Sequence, residues 1–273
     1  MSVASIVKLA SQSFTLPHTC VRLQTLLDDP KSDIDDLAQV MSLDPSMTAK
    51  VLKLANSALF RFPAQVSSVP KALSIIGGEA AYNISMAETA NNAFRAFDSS
   101  LIDFEKFWYK AVLSGLVAKA LAQQKQVRGS ERYFVLGILQ HLSELICAAH
   151  MPEKYINYLE LSDTILPAQA QVEVFDFTFA QCSGLILEKW NLPESLHLPL
   201  SQVDLSHSPL QSFEASILYT SQIMAHFEDG RGVTSHQGVC SETLKMIGLQ
   251  EYEYDIIIEF ALAESLKIAA SLK

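Results

Sequence analysis

The sequence predicts an all-α fold, a bundle of many helices, and three observations carry that reading. Apolar residues recur at helical spacing almost throughout the 273 residues. Only 10 Gly and 10 Pro break the chain, too few for many short strands joined by tight turns. Neither strand-like alternation nor a repeat of 20 to 50 residues stands out.

The elements follow in order. After Pro17 an apolar stripe of Val21, Leu23, Leu26 and Leu27 predicts a helix that Asp28-Asp29-Pro30 closes. Ser32 with Asp35 reads as a capping box, hydroxyl and carboxylate each satisfying free backbone N–H groups. The helix behind it buries Ile34, Leu37, Ala38 and Met41. Asp44-Pro45 is a second start signal, because Asp accepts at the N-cap and Pro at the first position sacrifices no intrahelical donor. Met47, Val51, Leu52, Leu54 and Ala55 continue it. Ser68 and Pro70 open a segment carrying Ala72, Leu73, Ile75 and Ile76, and Gly77-Gly78 ends it.

Further helices are predicted over Glu79–Phe97, Phe104–Gln124, Glu131–Ala149, Pro152–Leu161, Ala168–Trp190, Pro209–Phe227, Ser241–Ile247 and Tyr252–Ser271. Phe97-Asp98-Ser99-Ser100 is the candidate junction between an N-terminal subdomain (1–100) and a second one (101–273). Asp204–Pro209 and Asp229–Gly238 read as loops. Phe60, Phe62, Phe94 and Phe97 are expected in the core rather than on a docking surface, and Asn56 as a local hydrogen-bonding residue.

Charge excludes one class of partner. The net charge is −10, with 8 basic against 9 acidic residues from Met1 to Ser100 and 12 against 21 thereafter. Nucleic-acid binding rests on Lys and Arg neutralising phosphates, so no nucleic-acid partner is expected. Cys20, Cys147, Cys182 and Cys240 form no CxxC and read as buried, reduced thiols. Met1–Ala10 lacks the apolar core of a signal peptide, and no run of 18 apolar residues occurs. A cytoplasmic protein without a membrane partner is the expectation.

Familiar chemistries are missing. There is no Gly-x-Ser-x-Gly elbow, no Cys beside an obvious His, and no Lys-Ser/Thr after Gly77-Gly78 to make a phosphate loop. His18, His150, His197, His207, His226 and His236 show no metal-ligand spacing. His141 and Glu144, three apart, allow two readings: part of a metal site, or a hydrogen-bonded pair. The second is favoured, because two ligands rarely fix a catalytic ion. Glu251, Glu253 and Asp255 are read as charges complementing the dipole of the following helix rather than as metal ligands.

The first half resembles the HDOD family, the HD-related output domains of bacterial signalling proteins. The matching words run in order: Leu16-Pro17, Leu26-Leu27-Asp28-Asp29-Pro30, Leu43-Asp44-Pro45, Leu52 through Ala58, Val66-Ser67-Ser68-Val69, Ala72-Leu73 and Ile75-Ile76-Gly77. Phe107-Trp108, Gly137-Ile138-Leu139 and Trp190-Asn191-Leu192-Pro193 extend the likeness to Pro193. The resemblance implies a helical bundle of the HD-domain/PDEase-like type with an N-terminal helical subdomain.

An HD-type hydrolase holds a divalent metal with imidazoles and carboxylates, and the metal acidifies a water and clamps phosphate oxygens. The resemblance places those ligand positions at Lys110, Gln140, His141, Phe179, Val203 and Asp204. Lys110 is cationic, Gln140 is a poor ligand, and Phe179 and Val203 offer no side-chain lone pair. His141 survives by position but not by role, and Ser143 replaces the family's usual glycine. The set is therefore read as a degenerate former site with no catalytic residue, metal or cofactor. The expected function is a non-catalytic signal-transduction or regulatory output module, acting on a protein partner in a bacterial pathway without an attached receiver or sensor domain. The alternatives are a metal-dependent phosphohydrolase acting on a nucleotide or phosphoester, and a module that binds a small ligand in the old cavity, with Lys110 contacting an anion.

Overall fold

The computed structural model describes residues 2–13, 18–56, 64–82, 85, 89, 99–127, 129–205, 210, 212–227, 245 and 247–271. Leu16-Pro17, Phe60, Phe62, Phe94, Phe97, Cys240, His207, His236, the loop Asp229–Gly238 and most of Ser241–Ile247 lie outside them, as does much of Glu79–Phe97. Among the described residues every long element is an α-helix: α1 (Val3–Ser13), α2 (His18–Asp28), α3 (Ile34–Ser42), α4 (Pro45–Ala55) and α5 (Val69–Ile76), followed by α6 (Phe104–Gln124), α7 (Glu131–Leu139), α8 (Leu142–His150), α9 (Pro152–Ser162) and α10 (Pro167–Phe175), then α11 (Phe179–Lys189), α12 (Glu194–Ser201), α13 (Phe213–Phe227) and α14 (Glu251–Ser271).

The starts of these helices are set by local chemistry. The capping box sits one residue later than Ser32 and Asp35 suggest: Asp33 Oδ1 accepts from Asp35 N and Asp36 N, and Asp36 accepts from Asp33 N. A carboxylate is the stronger acceptor at a helix N-terminus, so Asp33 takes the position from Ser32. Asp33→Ala is expected to cost about 1 kcal/mol, read as a lower urea midpoint with an unchanged slope. Asp44 caps α4 as predicted, accepting from Met47 N at 3.1 Å. Gly77, at φ 83°, ends α5 in a backbone region that a side chain would strain. Asn56 pairs both ways with the Val66 backbone at 2.8 Å, fixing residue 66 against the end of α4.

Two long predicted helices are each broken in two. Glu131–Ala149 becomes α7 and α8, because the chain tightens at Gln140 and His141, where His141 N donates to Ile138 O three residues back. Ala168–Trp190 becomes α10 and α11. Asp176 turns left-handed at φ 68°, and Thr178 caps the new helix through Gln181 N. Apolar spacing continues across both breaks, so periodicity alone runs them together. Helices α1 and α12 were not anticipated. α12 follows Pro193 at its N-cap and carries Pro199 within it.

α2, α3, α4 and α5 pack on one another, whereas α1 reaches across to α8 and α11 through the fully buried Ile6 and Ala10. Helix α6 is the axis of the second half. It is buried on nearly every side and contacts α7, α13 and α14, while α14 also touches α4. Glu253 ties the far ends together, accepting from Gln124 Nε2 at 2.8 Å and Gln250 N at 2.6 Å beside Lys125 Nζ at 3.3 Å. The Gln124 hydrogen bond leads the interactions that hold its carboxyl below the ordinary range. Glu253 is buried while Asp255 points to solvent, so these two carboxylates do not converge. Cys20, Cys147 and Cys182 are free and buried, and burial pushes the Cys182 thiol up to about 12. No helix among the described residues is long and apolar enough to cross a membrane.

Candidate functional site

The centre of the second half is built on a crossing of bare backbones. Gly137 of α7 lies against Gly115 of α6, so close that a Cβ on Gly137 would stand 2.6 Å from Gly115 Cα and 2.7 Å from Ser114 O. A Cβ on Gly115 would in turn strike the Phe134 carbonyl. Only glycine permits this approach. It brings the turn at Gln140-His141, at the end of α7, down onto the face of α6 that carries Phe107, Lys110 and Ser114 at helical spacing.

A chain of buried polar groups results. His141 Nε2 lies 3.1 Å from Ser114 Oγ, and His141 Nδ1 lies 3.4 Å from Glu144 Oε2. Tyr155 of α9 donates its hydroxyl to Glu144 Oε1 at 3.0 Å, and the Phe107 ring meets the imidazole edge-on at 6.1 Å. His141 is 1% exposed and Glu144 6%. Burial holds the imidazole below its usual pKa, outweighing the Glu144 carboxylate that favours its charge, and Lys110 pushes the same way as burial. Burial alone would raise the Glu144 carboxyl. The His141 hydrogen bond, the Lys110 charge and the Tyr155 hydroxyl together outweigh it and keep the pKa low. A carboxylate can only accept, so neutral His141 carries its proton on Nδ1, and Ser114 donates to Nε2.

Serine, imidazole and carboxylate thus stand in the order used by serine hydrolases, yet the arrangement does not suit that chemistry. Ser114 is 0% exposed in the interior of α6, where backbone N–H groups are committed to the helix and none is spare to stabilise an oxyanion. Ser114 and His141 do not line the neighbouring cleft. The relay is a closed structural network.

That cleft, of about 140 Å³, opens beside the relay between the start of α6 and helices α8, α9 and α13. Asp103, Lys106, Lys110, Glu144, Tyr155 and His226 are among its polar lining residues. Asp103 is committed to capping α6, its Oδ1 accepting from Glu105 N at 3.0 Å and Lys106 N at 3.2 Å.

The six positions singled out by the resemblance separate in the structure. Lys110 is half-buried and faces the cleft, with Glu144 on the same lining and His141 behind it. Gln140 is buried and turns away, its Nε2 donating to Gly137 O at 3.1 Å and lying 3.4 Å from Ser221 Oγ. Phe179 packs its ring on Tyr158 and Phe175, and its carbonyl accepts from Ser143 Oγ at 2.8 Å. The buried Val203 offers only its carbonyl, which accepts from Thr178 Oγ1 at 2.6 Å. Asp204 is half-buried and absent from the cleft lining.

A divalent metal does not fit this set. An ammonium faces the cleft, two positions carry hydrocarbon, and both nitrogens of His141 and both oxygens of Glu144 are already engaged. Among the described residues no three His, Cys, Asp or Glu side chains cluster as metal ligands. Ser114 and Tyr155 went unnoticed in the sequence, and His226 figured there only as a histidine without metal-ligand spacing. Ser114 alone had a local signal, its four-residue spacing from Lys110. Tyr155 and His226 arrive from α9 and α13, and nothing local announces them.

The sequence profile described as the HDOD domain matches residues 14–204. The chain is 24% identical over 197 residues to an uncharacterized protein of Treponema pallidum, covering 70% of this chain and 37% of that relative's length. It superposes on a candidate phosphohydrolase from Shewanella amazonensis SB2B with a TM-score of 0.73 at 18% identity, covering 99% of this chain and 98% of the other. An HDOD domain protein of unknown function from Geobacter sulfurreducens gives 0.70 at 19%, with the same coverage. A candidate signal transduction protein from Marinobacter aquaeolei VT8 gives 0.67 at 21%, over 94% of this chain and 59% of that one. At these identities the solved structures share the fold.

Proposed function

The chain belongs to the HDOD domain family, and on that premise we propose that it is a non-catalytic signal-transduction module acting through protein contacts in a bacterial regulatory pathway. The observation that carries this reading is the state of the former metal positions. Lys110 brings positive charge, and Phe179 and Val203 bring no donor. The surviving His141 spends both ring nitrogens on Ser114 and Glu144. Converting this set into a metal-activated-water site takes several simultaneous changes, because a ligand must be deprotonated, uncommitted and convergent.

The partner is read from charge. Residues 101–273 carry 12 basic and 21 acidic side chains, which favours a basic or mixed partner surface and an association that weakens with salt. The test has two arms. Protein purified without chelators is expected to carry Fe, Mn, Mg and Zn well below one ion per chain and to leave bis(p-nitrophenyl) phosphate intact. Stoichiometric metal, with turnover that disappears when the metal is stripped, overturns the reading in favour of a phosphohydrolase. In the second arm, partners recovered by pull-down at low salt are expected to be lost at high salt.

A further inference from the structure

We propose that the cleft between the start of α6 and helices α8, α9 and α13 is a binding site for a small oxyanion, held chiefly by Lys106 and Lys110. This goes beyond the protein-contact reading and does not depend on it.

The argument is an account of committed and uncommitted charge. Four charged side chains line the cleft: Asp103, Lys106, Lys110 and Glu144. The two carboxylates remain charged, with three of their four oxygens accepting hydrogen bonds. Asp103 caps α6, and Glu144 accepts from His141 on one oxygen and from Tyr155 on the other. The two ammonium groups make no such contact, and Lys110 acts on Glu144 only through its charge. Neither Lys106 nor Lys110 has a hydrogen-bond or ion-pair partner within 4.0 Å among the described residues. They stand four residues apart, on one face of α6 and one turn from each other. Like charges at this spacing are mutually unfavourable; Glu144 offsets part of that for Lys110, and an anion between the two lysines relieves the rest.

The surroundings strengthen the interaction. Phe107, Tyr158 and Leu159 give the cleft apolar walls, and a charge–charge contact is worth more there than on an open surface. A volume of about 140 Å³ suits a compact anion rather than a nucleotide. Lys110 is half-buried and Lys106 exposed, so the site has a deep and a shallow contact. A bound anion would join the first turns of α6 to α9 and α13.

Thermal melts and calorimetry with inorganic phosphate, sulfate and acetate at matched ionic strength test this. At least one of the three is expected to raise the melting temperature saturably, as a ligand that binds only the folded state does. The tetrahedral and planar arms distinguish a phosphate-like from a carboxylate-like ligand. Lys110→Gln is expected to weaken binding by about tenfold or more, the loss of one charge-assisted contact. Lys106→Gln weakens it less, and Lys53→Gln, on exposed α4 surface, leaves it unchanged. Lys106 is exposed, so its variant remains informative should Lys110→Gln disturb folding. No saturable effect from any of the three anions overturns the proposal, and so does equal affinity in both cleft variants and the wild type.

Discussion

Gly137→Ala is expected to destabilise the protein by about 3 kcal/mol, although alanine in an unencumbered helix is favoured over glycine by about 1 kcal/mol. The added methyl has nowhere to go. Its Cβ would sit 2.6 Å from Gly115 Cα, 2.7 Å from Ser114 O and 2.8 Å from Gly115 N, all of them backbone. No rotamer relieves a clash between main chains, so α6 and α7 must separate, and the buried contacts between them loosen together. In a domain of this size the change corresponds to a melting point lower by about 6–10 °C. Urea denaturation of Gly137→Ala beside wild type checks it. A neutral or stabilising result would mean that the helices do not meet backbone to backbone. Because Ser114 precedes Gly115, the same substitution is expected to lengthen the 3.1 Å contact to His141.

Stability is expected to fall as pH drops below about 6.5, and His141 is the first cause. Its folded pKa lies below the ordinary 6.5 because burial disfavours the imidazolium. Between the two values the unfolded chain binds the proton and the folded protein does not, so acid favours unfolding. His141 contributes this stability fully above pH 6.5 and loses it as pH falls towards the folded value, with a slope of up to about 1.4 kcal/mol per pH unit. Glu144 adds a second loss at lower pH. Its folded pKa lies below 4.5, so its contribution is present above that value and disappears as pH falls through the folded one. Denaturant titrations from pH 8 to about 4, on wild type and His141→Gln, read the first effect as the slope the variant lacks. A wild type that gains stability from pH 7 to 6 through His141 would reverse the assignment, making His141 and Glu144 a charged pair.

Most of the helical inventory was legible because its signals are local. The predicted limits of α6, Phe104–Gln124, match the helix that forms. The α4 start follows from Asp44-Pro45, and the α5 stop from Gly77. The donor chemistry of the six positions singled out by the resemblance was also open to sequence reading, since that of Lys, Phe and Val does not depend on where they fold. Misreadings occurred where tertiary packing overrode periodicity. Gln140-His141 interrupts an apolar run because the turn delivers an imidazole to Ser114, and Asp176 interrupts another because α10 and α11 pack separately.

The sequence by itself determined the fold class, the uneven charge and the residue types at the six positions, since each depends on residue type and short-range spacing. Only the tertiary structure decided that His141 is spent on Ser114 and Glu144, that Tyr155 and His226 join the site, and that two lysines face a cleft unpaired. Those facts depend on how closely α6 and α7 cross. That distance is set by two glycines 22 residues apart, whose role exists only once their helices meet.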